Sequence, residues 1–292
     1  MQHPIDPKID CVFKALLGSE DNRRLLIHFL NAILATDLPS PVTEVAILNP
    51  YNERESRADK LSIVDVKARD DQERLYQVEI QLLAFPDLPA RVLYTWADLY
   101  SQQLQSGQDY GELQPTYAIW VLAEDLLPAD PAYAHRYRLR DDQGRQLIDH
   151  GGIWLLELNK FAAERVETEA QRWLKFLKEG ERLDEANLPD WMQTDEMRQA
   201  MSTLKAFSEK ERAYHAYQAR QNFLRQQRSI QHALEAALRE KEAERQAKEA
   251  ALREKDAARQ AEEAERQAKE AAQAEVERLS ALLRGKTPPV ES

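Results

Sequence analysis

Two short apolar runs, Leu-Ser-Ile-Val-Asp-Val-Lys at 61–67 and Leu-Tyr-Gln-Val-Glu-Ile-Gln at 75–81, flank the polar stretch 69–73. Runs of this length bounded by turn residues predict the two strands of a hairpin. Polar side chains interrupt them at matched places: Asp65 and Lys67 in the first, Glu79 and Gln81 in the second. Side chains alternate across a strand, so each pair shares one face, and a hairpin brings all four groups together. Two carboxylates side by side in a sheet are costly without a compensating cation. Magnesium takes oxygen ligands, commonly one or two carboxylates plus waters and phosphate oxygens. Asp65 and Glu79 are therefore candidate ligands, with Lys67 or Gln81 positioned to hold an attacking water or a developing charge. The same alternation also describes a solvated hairpin face, and spacing alone leaves both readings open.

The rest of the pattern alternates helices with strands. Residues 1–19 read as a short arm with a turn and a brief helix. Ser19 is a candidate N-cap, followed by the acids Glu20 and Asp21. Leu25, Leu26, Phe29, Leu30, Ile33 and Leu34 then recur at helical spacing, as far as the Asp37-Leu38-Pro39 loop. Residues 42–48 predict a first strand and 49–59 a polar loop. Pro86 and Pro89 close the hairpin and open a helix over 91–105, with Gly107 placed to end it. The unbroken apolar run 116–122 predicts a strand buried on both faces. Strands at 135–139 and 153–158 follow, separated by an Asp-Asp-Gln-Gly turn, then a helix over 167–179 that ends at Gly180, and helix again from Asp195.

Several of these pieces, in this order, resemble the Rpn family of recombination-promoting nucleases, also called PD-(D/E)XK transposases. Asp10-Cys11-Val12-Phe13-Lys14 resembles the family's N-terminal Asp-x-x-Phe-Lys box. The strand carrying Asp65 and the Val78-Glu79-Ile80-Gln81 strand resemble the acidic strands of the PD-(D/E)XK signature in its Glu-X-Gln variant. The segments Arg91–Trp96 through Tyr100, 107–110, and Leu155-Leu156-Glu157-Leu158-Asn159-Lys160-Phe161 continue the match, which spans roughly residues 4–180. The resemblance implies an α/β fold, a restriction-endonuclease-like core with a central mixed sheet flanked by helices, to which the sequence adds a long C-terminal helix. It implies a metal-dependent DNA endonuclease using Mg2+ or Mn2+, acting on double-stranded DNA and linked to recombination or transposition. Its site would comprise Asp65, Glu79, Gln81 and Lys67, with Asp10 a possible third metal ligand. Asp10 also reads as a helix cap or surface charge, and Lys67 as a solvated strand residue. Gln81 replaces the lysine of the parent signature; an amide orients water or donates to phosphate but is no general base. Arg91 and Gln103 are further candidates to face phosphate, while Trp96 reads as core.

The chain of 292 residues carries a net charge of −11, the wrong sign for a protein that coats nucleic acid over its whole surface. Its single cysteine, Cys11, excludes an internal disulfide and a cysteine zinc site. With no signal-peptide pattern and no membrane-length apolar run, the expectation is a cytoplasmic protein. There is no histidine zinc spacing, Gly-rich phosphate loop or nucleophile elbow.

Beyond about residue 206 the composition shifts to Glu, Lys, Arg, Ala and Gln, with no glycine or proline until Gly285. The hexapeptide at 236–241 recurs at 250–255, and the octapeptide at 242–249 recurs from Glu263, both whole-heptad offsets. Alanine fills the column 236, 243, 250, 257, 264 and 271. The expected organisation is a nuclease-like domain over 1–180, a helical connector over 181–224, a heptad helix over 225–284 and a disordered tail over 285–292. The heptad helix is either a weak coiled coil joining a homodimer or a solitary helix held by its own ion pairs. If the globular part were catalytically idle, the alternative is a nuclease-like scaffold acting through that helix.

Overall fold

The computed structural model describes residues 3–49 and 64–284. The expected strand residues Leu61, Ser62 and Ile63, most of the 49–59 loop and the 285–292 tail lie outside the described residues. The chain divides into two units, 1–225 and 226–292.

Among the described residues, the first unit is a mixed six-stranded sheet between helices. Its strands are β1 (Val45–Ile47), β2 (Val66–Asp70), β3 (Leu75–Gln81), β4 (Thr116–Leu122), β5 (Ala134–Tyr137) and β6 (Gly151–Glu157), in the order β1-β2-β3-β4-β6-β5. β1, β2 and β3 form an antiparallel meander; β3, β4 and β6 run parallel; β5 returns antiparallel on β6. The apolar run at 116–122 is buried throughout, as a strand covered on both faces must be.

Alternation along β4 divides the core. Tyr117, Ile119 and Val121 face the larger cluster, which holds α1 (Asp10–Leu17), α2 (Arg23–Ile33), α4 (Glu169–Glu179) and α5 (Asp195–Glu209). Ala118, Trp120 and Leu122 face the smaller cluster with Leu88 and Val92 of α3 (Leu88–Ser101). On α2, Leu25, Leu26, Phe29, Leu30 and Ile33 are all buried. Each contributes about 1.5–3 kcal/mol as an upper estimate, ample to fix this helix to the sheet.

Local boundaries depart from the sequence pattern at the start of α2 and at both ends of α3. Ser19 makes no side-chain cap; a 3₁₀ turn over Glu20–Asn22 precedes α2 instead. The α3 helix starts earlier than expected, with Pro89 in its first turn, where a missing N–H costs nothing. It ends at Ser101, before Gly107. Thr168 and Gln171 cap α4 reciprocally.

The last helix, α6 (Glu211–Arg284), begins within the first unit. There the hydroxyl of Tyr217 accepts the Asp6 N–H at 3.0 Å, His3 stacks on Tyr214 with centroids 4.2 Å apart, and Arg220 pairs with Asp10. The described part of the second unit is the remainder of α6, whose described side chains are almost all exposed. No described helix is long and apolar enough to cross a membrane.

Candidate active site

Register places the polar residues of the hairpin. Lys67 lies opposite Gln77, and directly opposed residues share a face. Two and four residues on, Glu79 and Gln81 lie on that face too, the one covered by α3. Asp65 differs from expectation. It stands at a bend immediately before β2, outside the ladder. Its Oδ2 accepts the Ile80 N–H at 3.0 Å, and its own N–H donates to Glu79 Oε1 at 3.2 Å. The carboxylate thus takes the place of a ladder carbonyl, which ends the pairing and holds Asp65 against the C-terminal end of β3.

Glu79 is 3% exposed. Burial pushes its carboxyl well above the usual range, and the Asp65 charge pushes it further; Arg91 and hydrogen bonds from Gln77 and the Asp65 N–H oppose this. Asp65 has its own counter-charge, Lys14 on α1, whose Nζ is 3.2 Å from Asp65 Oδ1. Gln81 donates to the Leu83 carbonyl at 2.8 Å, while its Oε1 accepts from Arg91 at 3.3 Å. Arg91 in turn lies over the Trp120 ring, 5.4 Å from its centroid.

Asp10 is not brought to the pair. Opening α1 one turn before Lys14, it accepts from the Cys11 N–H at 2.9 Å and from Arg220 at 3.1 Å. Among the described residues no three His, Cys, Asp or Glu side chains gather as a metal site. Gln103 is also elsewhere: its amide holds Gln114 and Thr116 at the far end of the sheet. Trp96 is half-buried and donates to the Thr116 carbonyl.

Two residues escaped the pattern reading. Lys14 was visible only as the last letter of the Asp-x-x-Phe-Lys box. Gln77 shares the face of Glu79 by simple alternation, but an amide in an apolar strand carries no chemical signal. It is fully buried and donates to Glu79 Oε1 at 3.3 Å, yet among the described residues its Oε1 finds no donor. A buried orphan acceptor beside a buried acid, with a second carboxylate adjoining, is an all-oxygen donor set. That set fits a small hard divalent cation, which completes its shell with water or phosphate oxygens.

A family model described as PD-(D/E)XK nuclease family transposase matches residues 7–234. No curated protein and no solved structure matches the chain. The match covers the whole sheet, all the helices that flank it and the start of α6, and it includes both acids that meet at the end of β3. On that match, and with the mixed sheet in place, the chain belongs to the PD-(D/E)XK nuclease family transposases.

Proposed function

We propose that the chain is a divalent-metal-dependent DNA endonuclease whose site is Asp65, Glu79, Gln81 and Lys67, supported by Lys14, Gln77 and Arg91. The observation that carries this reading is the meeting of Asp65 and Glu79 at one sheet end, with Glu79 buried where its charge is unfavourable. Asp65, Glu79 and the orphan Gln77 oxygen would hold Mg2+ or Mn2+. When bound, such an ion activates water and stabilises the leaving oxygen of a phosphodiester.

The chain's own groups do the rest. Lys14 orients Asp65 and offsets its charge, which limits the repulsion on Glu79. Arg91 fixes the Gln81 amide and adds positive charge where a scissile phosphate would approach. Lys67, half-buried on the same face, adds a cation on the neighbouring strand. Gln81 positions water or phosphate and takes no proton. Asp10 is read as the ion-pair partner of Arg220. The substrate assigned is double-stranded DNA, in a role connected with recombination or transposition. A homodimer through the C-terminal helix would bring two sites to one duplex.

Supercoiled plasmid incubated with Mg2+ or Mn2+ tests the assignment. Nicking is expected for the wild type and is lost by at least about a hundredfold in Asp65→Ala and Glu79→Ala. Plasmid left intact across both metals and a range of pH overturns the reading and leaves a nuclease-like scaffold.

A further inference from the structure

The segment Arg136-Tyr137-Arg138-Leu139-Arg140 alternates arginines with Tyr137 and Leu139. It runs along and just beyond β5, an edge strand of the described sheet. On one side, Arg136, Arg138 and Arg140 line an open pocket with Thr36 and a single acid, Asp37. Arg138 pairs with Asp37 and Asp149, Arg136 lies 3.7 Å from Asp37, and Arg140 donates to the Gly144 carbonyl. Arg145 nearby is matched by Asp141. The three guanidiniums thus exceed the acid lining their own pocket, in a chain whose overall charge is −11.

On the other side, Tyr137 and Leu139 border an apolar cavity of about 150 Å³ with Leu93, Trp96, Tyr100 and His150. Trp96 and Tyr100 are stacked at 5.7 Å, and the Tyr100 hydroxyl is bonded to His150 Nδ1 at 2.8 Å. Tyr137 is half exposed and Leu139 slightly more. Tyr137 and Arg138 belong to both pockets. An aromatic cleft for a base beside guanidiniums for phosphates is the recognition chemistry of unpaired nucleic acid.

Register relates this edge to the candidate active site. Tyr137 pairs with Ile153, which is level with Ala118 and Gln77. Tyr137 therefore lies on the face that Gln77 and Glu79 share, about 14 Å from Gln77 across three strand spacings.

We propose that the β5 edge binds single-stranded DNA, with a base in the Trp96–Tyr137 cleft and flanking phosphates on Arg136 and Arg140. The choice of DNA rests on the proposed nuclease reading. A base inside a duplex cannot enter the cleft without leaving its stack, so the preferred substrate carries an unpaired stretch.

Fluorescence anisotropy of a short labelled oligothymidine, measured with the full chain in EDTA, tests this without any cleavage. Binding is expected to weaken as salt rises, and Arg136→Ala/Arg140→Ala to lower affinity at least about tenfold and flatten the salt dependence. Tyr137→Ala is expected to lose about tenfold with the salt dependence unchanged. All three residues are exposed, so the variants keep the fold, which far-UV circular dichroism verifies. EDTA withholds any divalent metal, so oligothymidine binding is read whether or not the chain cuts DNA, and failure of the nuclease reading is separated from failure of this one. Equal or tighter binding of duplex, a preference for RNA of the same sequence, or indifference to both sets of substitutions overturns the proposal.

Discussion

Glu79 is an acid held where ionisation is costly, and that has a measurable pH dependence. An unfolded glutamate ionises near pH ~4.3, whereas burial and the Asp65 charge raise the folded value. The stabilisation from this group is fully present below the unfolded value and is lost as pH climbs through the folded one. Glu79→Gln keeps the shape and removes the charge. At pH 4 the metal-free variant should melt with the wild type. At pH 8 it should be more stable by about 1–2 kcal/mol, a rise of roughly 2–6 °C. Mn2+ should raise the wild-type midpoint and leave that of the variant unmoved; a variant that gains as much from the ion would remove Glu79 from the ligand set. Lys14 is tested by opposite movements of two readouts. It competes with a cation for Asp65, so Lys14→Met should bind Mn2+ more tightly in calorimetry yet cut plasmid about tenfold more slowly. Its fold should change by at most about 1 kcal/mol, because the lysine is 42% exposed. A parallel loss of metal affinity and cleavage would instead make Lys14 merely structural.

At the scale of the element, the β2–β3 turn fixes where Glu79 stands. Asp70 and Arg74 are buried, and the Asp70 carboxylate accepts from the N–H groups of Gln72 and Arg74, the Arg74 guanidinium and the Tyr76 hydroxyl. Glu73, at φ 61°, makes the tight turn between them. Removing Asp70 leaves Arg74 charged and buried without its partner, so Asp70→Ala should destabilise by about 3–5 kcal/mol in urea unfolding. A loss under 1 kcal/mol would show the turn to be solvated after all. Solvated is how it reads in sequence: Arg69-Asp70-Asp71-Gln72-Glu73 is a charged run, and only the pairing of Asp70 with Val45 on β1 reveals its burial. The elements themselves were legible wherever one period dominated, as at β4, α2 and α4. The meeting of Asp65 with Glu79 comes about otherwise than by alternation: Asp65 lies at a bend outside the ladder and reaches β3 through hydrogen bonds with Ile80 and Glu79. What could not be read were contacts between distant elements: Lys14 reaching Asp65, Arg220 claiming Asp10, and Gln103 turned toward Thr116. Each depends on how α1, α3 and α6 pack, which no local spacing encodes.

For the whole molecule, the question is what the exposed part of α6 adds to a unit that already contains the candidate site. Its heptads argue for weak self-association. The alanine column 236–271 could pack against a second copy, but the positions four residues on alternate between Glu240, Ala247, Glu254, Ala261, Ala268 and Glu275. A coiled coil wants apolar residues in both columns, and alanine buries little area for each contact. Leu234, Leu238 and Leu252 are each more than half exposed in the single chain and too sparse to compensate. Ion pairs such as Lys248–Glu244, Arg245–Glu249 and Lys269–Glu265 support the helix without a partner, at a few tenths of a kcal/mol each. Pairing strong enough to align two sites is therefore expected only at high protein concentration. Dilute protein should convert supercoiled plasmid to open circle, and linear product should appear as concentration rises. Deleting the residues after Arg225 should leave nicking and the melting of the first unit within about 1 kcal/mol of wild type, because the boundary falls between separate units. The same deletion should abolish the linear product. Linear product at the same rate from the truncated chain would place any self-association that aligns two sites elsewhere than on this helix, and loss of nicking would mean that the first unit does not stand alone.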